Sequence, residues 1–385
     1  MEPMRKVCHD DDMSGEKILH IFDIETSGKK VPMADLGASG DPFAYAVADN
    51  SPPLALTAPV FLNRPEFAKI FPDGPVRRHS PMVCAVQNCF LMGPFGYVVL
   101  PSGRLIRQSA VKLDGASLEY SFGHFQGQWP GKHIPWAQAD GPVFSANGFS
   151  TNNYFHFLMD ALSHMHWRER VPSAQGAKSI VSGYPPGSSH SFMDEALELT
   201  GILPMDIQPF DGTLLFCPQL IFPQRDTGAS PWKVEWLRKR FGLDGRARGT
   251  KRLYVARGAA PRRRVINEVA VEKLLASHGF TSVNPGVMSL DAQIKLFADA
   301  SVVVGPHGAG LTNTVFMAPG GAVVELTHTK RVVWTYHEVA CAAGHSYACV
   351  VGDFIGDEKE PLFGDLDIDI EALDTAVTAA IRASD

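Results

Sequence analysis

Cysteine is scarce in this chain, and its spacing rules out several roles. The six cysteines, Cys8, Cys84, Cys89, Cys217, Cys341 and Cys349, form no C-x-x-C pair and no zinc-finger spacing with histidine. A disulfide framework or zinc module is excluded, and free thiols in a reducing compartment are expected. Excess positive charge is lacking too: 35 Lys and Arg against 41 Asp and Glu give a net charge of -6. That balance argues against a general nucleic-acid binder. Long apolar runs are absent, because the stretch around Phe90 to Leu100 is broken by glycine and proline. The start, MEPMRKVCHDDDMSGEK, has no apolar core and does not read as a signal peptide. The expectation is a cytoplasmic protein, with peripheral contact at the inner face of a membrane left open. Internal repeats are not seen.

What remains is the composition of a globular α/β protein. At 385 residues and 45% hydrophobic, the chain is long enough for two domains with large cores. Residues 1–80 are rich in Pro and Gly and read as an irregular N-terminal extension. Residues 81–225 read as a first α/β domain, with a hairpin around Pro101-Ser102-Gly103 and a helix from Asn153 to about Arg170. From residue 226 to 350 strands and helices alternate, which implies parallel strands joined by right-handed crossovers. Residues 351–385 form a tail with a closing helix.

The informative stretch is SVVVGPHGAGLTNTVFMAPGGAVVEL. Ser301 to Val304 is a short β-branched run of the kind buried in parallel sheets. It runs into Gly305-Pro306-His307-Gly308-Ala309-Gly310, after which a helix from Leu311 to Met317 is expected. Glycines there let a ligand approach the backbone, and the N–H groups at a helix start favour an anion such as a diphosphate. The next strand is expected to end at Glu325, where a carboxylate can accept the ribose hydroxyls of a nucleotide. The plainer alternative is a tight turn with a capping glutamate. The spacing departs from the dinucleotide fingerprint G-x-G-x-x-G, which disfavours a dehydrogenase.

Here the chain resembles the family-61 glycosyltransferases. The resemblance rests on Gly305-x-His307-Gly308-Ala309-Gly310-Leu311-Thr312-Asn313 with Phe316, Pro319-Gly320 and Glu325-Leu326. Two further blocks agree in order: Leu253 to Arg257 with Arg263 or Arg264 and Ile266-Asn267-Glu268, and Asn153 to Phe157 with Asp160-Ala161-Leu162. Ser289 and Gln293 fit the preceding helix, although Ala292 stands where an acidic residue is often found. The resemblance covers roughly residues 85 to 350. It implies a GT-B-like architecture, two Rossmann-like α/β domains facing a central cleft. It also implies an inverting reaction and no metal or other cofactor. The donor would be a nucleotide-sugar, with UDP-sugar favoured, and the acceptor a glycan or lipid-linked glycan precursor.

On this reading the donor-binding residues are Arg257, Arg264, His307, Gly308, Ala309, Gly310, Leu311, Asn313 and Glu325. Guanidinium groups match phosphate oxygens in pairs, so Arg257 and either Arg263 or Arg264 would hold the leaving diphosphate. Asn313 either binds or stitches the loop to the helix. For the acceptor hydroxyl, His156 and Asp160 lie one helical turn apart and supply a base with an orienting carboxylate; His164 continues the same face. Asp10-Asp11-Asp12, Asp365-Leu366-Asp367 and Asp367-Ile368-Asp369 match the D-x-D of metal-dependent transferases, but in contexts read as terminal and solvated. Rival readings are a DEDD-type exonuclease, from His20 to Gly28, a nucleotide or glycan sensor without catalysis, and a nucleotide-sugar epimerase.

Overall fold

A computed structural model describes residues 24–25, 27–38, 40–47, 54–76, 81–110, 136–148, 150–182, 191–257 and 262–385. The described chain is mixed α/β and clusters into two compact units. The first takes residues up to 51 and 79–227, and the second takes 52–78 and 228–385. Asp10 to Asp12 and most of the exonuclease-like stretch lie outside the described residues. Among the described residues no helix is long and apolar enough to cross a membrane.

The first unit is organised on two long strands, β1 (Met82–Met92) and, later in the chain, Leu214–Pro223, which pair antiparallel from Val83 to Met92. Between them in sequence comes β2 (Val143–Ser145); the strand Leu214–Pro223 is β3. β2 lies parallel to β3 and to the short strand Lys178–Ile180. The sheet is thus mixed, with an antiparallel pair at its centre. Phe43–Val47 pairs antiparallel with β1, and the Pro42 carbonyl extends the pairing by accepting the Gln87 N–H at 2.9 Å. Alternate residues of β1 and β3, such as Cys84, Val86, Leu91, Leu215 and Leu220, share one buried cluster.

Its helices are α1 (Tyr154–Asp160), α2 (Met165–Arg170) and α3 (Ser191–Leu199). The single helix expected from Asn153 to Arg170 is instead broken at Ala161, where ψ is -70 and a 3-10 turn, Leu162–His164, follows. Ser163 contributes to the break, because its hydroxyl donates back to the Met159 carbonyl. Asn153 caps α1 by accepting the Phe155 N–H at 2.9 Å, an interaction worth about 1 kcal/mol.

The second unit is a doubly wound sheet of strands β4 (Lys251–Val255), β5 (Phe280–Val283), β6 (Ala300–Pro306), β7 (Ala322–His328), β8 (Ser346–Ile355) and β9 (Asp365–Asp367). Its order is β5-β4-β6-β7-β8-β9, parallel throughout except for β9, and Phe61–Leu62 adds a parallel partner to β8. The first five strands therefore run 2-1-3-4-5, with the topological switch between β4 and β6.

The helices are α4 (Pro231–Arg240), α5 (Glu268–Ser277), α6 (Leu290–Ala298), α7 (Thr335–Ala343) and α8 (Ile370–Ser384). α5 and α8 close one face, where Val271, Leu275, Leu373 and Val377 meet Val302, Val304 and Val324. On the other face α4, α6 and α7 pack on the segment after β6. In that segment the helix expected from Leu311 to Met317 is present as a 3-10 run, Ala309–Phe316. Its own polar side chains compete for the backbone: Thr314 donates to the Leu311 carbonyl and Asn313 to that of Gly310.

Candidate functional site

Ligands of open α/β sheets sit beyond the carboxyl ends of the strands at the switch point. Here the residues flanking that point are Arg257, two positions after β4, and His307, immediately after β6. The glycines of the loop are there for close approach. A Cβ on Gly308 would lie 2.2 Å from an Arg257 nitrogen, and on Gly305 or Gly310 2.9 Å from the Val255 side chain. Leu311 fills the space beneath Gly305 and is fully buried.

His307 is 8% exposed and gripped at both ring nitrogens. Nδ1 donates to Glu325 Oε1, and Nε2 accepts from Arg331 Nη2 at 3.3 Å. Its ring meets Tyr336 edge-on with centroids 5.2 Å apart. The other oxygen of Glu325 accepts from the Tyr347 hydroxyl at 2.6 Å. β7 runs on to His328, so Glu325 sits inside the strand opposite Gly305 instead of at its end, and is 1% exposed. Both carboxylate oxygens thus serve protein partners, in a burial where charge must be paired.

Three guanidinium groups crowd the same loop. Arg263 Nη1 donates to the His307 carbonyl at 3.1 Å and Arg257 Nη1 reaches it at 3.5 Å, while Arg331 holds the His307 ring. The Nε atoms of all three are buried without a hydrogen-bond partner in the protein. Burial first, and Arg263 next, lower the proton affinity of Arg257 and of Arg331; for Arg263 burial is again the largest cause. His328, 1% exposed, joins them. Burial, then Arg331, His307 and Arg263, push its pKa down to about 4, so it is neutral. Its Nδ1 accepts from the Lys330 N–H, which leaves Nε2 as the protonated nitrogen, and that atom has no partner. Arg263 adopts φ 57°, a left-handed conformation that costs a non-glycine residue about 1 kcal/mol or more.

The structure thus brings Arg257, His307, Gly308, Ala309 and Gly310 together. Arg264 points elsewhere: its side chain pairs with Asp365 at 2.6 Å and is 61% exposed. Asp365 and Asp367, read from sequence as solvated, form the edge strand β9. Asn313 is buried and donates to Gln293 Oε1 at 2.8 Å, which ties the loop to α6. Of the two arginines that the sequence left open, Arg263 is the one at the loop; Arg331, His328, Tyr336 and Tyr347 are additional. Arg331 was findable, since it occupies the loop after a parallel strand, as Arg257 and His307 do. Among the described residues no three His, Cys, Asp or Glu side chains are grouped to hold a metal ion.

The first unit holds a second histidine–carboxylate pair. His156 Nδ1 and Asp160 Oδ2 are 2.6 Å apart, with Asp160 fully buried and the His156 side chain 25% exposed. The loop after β2 presses on the end of α1, where a Cβ on Gly148 would lie 2.5 Å from the Asp160 carbonyl. His164, expected on the same face, is buried and pairs with Asp226 at 3.0 Å.

With this geometry in place, comparison with known families is direct. The family model described as Glycosyltransferase 61 matches residues 154–324, from the start of α1 to the strand position before Glu325. It is the family that the three sequence blocks resemble. Among curated proteins none matches.

Proposed function

We propose that this chain, a glycosyltransferase carrying a family 61 domain, moves a sugar from a nucleoside-diphosphate donor, a UDP-sugar, to a glycan or lipid-linked glycan acceptor with inversion. The observation that carries the donor assignment is the cluster of Arg257, Arg263 and Arg331 around His307, with unpartnered buried N–H groups at the switch point. Like charges held together at this burial favour an anion between them. A diphosphate would accept from these guanidinium groups, and as the anomeric C–O bond breaks they would take up the charge developing on the leaving phosphate. Arginine cations in that role supply the stabilisation that metal-dependent transferases draw from a divalent ion. We further infer a GT-B plan, for which the 2-1-3-4-5 sheet of the second unit is the support.

For the acceptor, the hydroxyl oxygen would attack the anomeric carbon and its proton would pass to His156. Asp160, bonded to Nδ1, fixes the tautomer in which Nε2 is the basic nitrogen. His307 is unsuited to that task, since both of its nitrogens are engaged. The test is a thermal-shift series with UDP, GDP, ADP, CMP and their sugar conjugates, with and without EDTA. A rise in melting temperature with one nucleotide class, unchanged by EDTA, supports the reading, because a ligand of the folded state must stabilise it. No rise with any nucleotide would remove the donor site. Binding without release of free nucleotide in the presence of acceptor glycans would leave a sensor.

A further inference from the structure

The arginine cluster accounts for a diphosphate but for nothing beyond it, and the adjoining surface carries an unexplained feature. Residues 361–363 form a short 3-10 turn in which Leu362 is 50% and Phe363 39% exposed. Single exposed apolar residues are ordinary on a protein surface, and what marks Phe363 is the cation seated on its ring. The guanidinium of Arg262 lies over the Phe363 ring, 4.0 Å from its centroid, and Arg262 is itself exposed. The next residue, Arg263, joins this pair to the donor loop. Its backbone N–H donates to the Phe363 carbonyl at 3.3 Å, and its Nη1 donates to the His307 carbonyl at 3.1 Å. The left-handed turn at Arg263 is what sends successive arginine side chains to different tasks, one onto Phe363 and one to the loop.

From these contacts we propose that the Arg262–Phe363 pair is a stacking ledge for the nucleobase of the donor. The inference rests on the donor reading above and extends it. A single residue, Arg263, bridges the Phe363 carbonyl and the His307 carbonyl, which sets the ledge beside the donor loop. A guanidinium plane already seated on an aromatic ring offers its outer face to a planar heterocycle, a mode of base recognition that depends on the π-face. Such a ledge tolerates any base, so it contributes affinity for the nucleoside and leaves the choice among bases to edge contacts.

The experiment is calorimetric titration of the full chain with UDP, ADP and inorganic pyrophosphate. Arg262→Ala and Phe363→Ala should each weaken both nucleotides about tenfold while leaving pyrophosphate within about twofold, and Phe363→Trp should restore nucleotide affinity. Equal weakening of all three ligands, or no weakening, overturns the ledge. A wild-type chain that binds UDP no more tightly than pyrophosphate overturns it as well, with the phosphate site intact. If wild type binds none of the three, the donor reading has failed and the ledge falls with it. Arg263→Ala separates these cases, because it should weaken pyrophosphate and nucleotides alike.

Discussion

Each unit places a histidine–carboxylate pair among its candidate site residues, and the two pairs are built differently. His156 and Asp160 are neighbours by one turn of α1, and the imidazole side chain keeps a quarter of its surface exposed. His307 and Glu325 are 18 residues apart and meet only because β6 and β7 lie in register. In the first pair the carboxylate engages Nδ1, the arrangement on which the proposed base role of His156 rests. In the second pair Glu325 and Arg331 take both nitrogens, and Tyr347 takes the remaining carboxylate oxygen. The two imidazoles also differ in exposure, with 25% of the His156 side chain open against 9% of that of His307.

Substitution at the two histidines should break the comparison if it is false. His156→Ala should lower kcat by about 10²–10⁴-fold and leave the affinity for nucleoside diphosphate unchanged, as read from steady-state rates and titration. Asp160→Asn should act in the same direction with an altered pH profile of kcat. His307→Ala should do the reverse, weakening the nucleotide more than it slows the bound complex. The same loss pattern in both variants would make the two pairs equivalent. Next in size, Arg263→Ala and Arg331→Ala should each weaken the nucleoside diphosphate about 10- to 100-fold, the worth of a charge-assisted hydrogen bond. Arg264→Ala should do little, since that side chain is spent on Asp365 at the surface.

These expectations also show what was legible in the sequence. The glycine loop, Arg257 and the alternation after residue 250 were readable because β-branched runs, glycines and helical periodicity are local signals. The pair His156–Asp160 was readable for the same reason. Arg263 against Arg264 was not: a left-handed residue inside a run of three arginines decides which side chain faces the loop, and nothing local announces it. Glu325 was found but placed at a strand end, because the continuation of β7 to His328 rests on its pairing with β8, a partner the local sequence does not show. The mixed sheet of the first unit was also hidden, since the antiparallel pairing of β1 with β3 joins segments more than a hundred residues apart. The helix expected after the glycine loop is present, and side chains bonding their own backbone make it a 3-10 run, Ala309–Phe316.

A subtler variant tests the second pair itself. Tyr347→Phe keeps the ring against Phe71 and His337 but removes the donor to a buried carboxylate. It should cost about 1–3 kcal/mol of stability, seen as a drop of a few degrees in the melting temperature. Nucleotide affinity should fall only a few-fold, because Glu325 still holds His307. A larger loss of affinity than of stability would mean that Glu325 itself meets the ligand, as the sequence alone suggested.

A further effect should come from pH, and it distinguishes the units without any substitution at the sites. In the second unit His328 and His345 are buried neutral, with pKa values lowered to about 4 and about 3, in both cases chiefly by burial. His345 donates from Nε2 to the Thr314 carbonyl at 3.0 Å and faces Arg238, so an added proton has no favourable partner there. The unfolded chain takes up these protons near the ordinary value of about 6.5. Between that value and the folded one, the unfolded state binds more protons, so stability is full above about pH 6.5 and declines as pH falls towards 4. Near pH 6.5 the decline is only a few tenths of a kcal/mol for each histidine. Melting curves of the full chain at pH 7.5, 6.5 and 5.5, with His345→Gln alongside, would show it. The variant should flatten the decline, and where two transitions resolve, the acid-sensitive one should be the transition that nucleotide raises, since both belong to the unit of the arginine cluster.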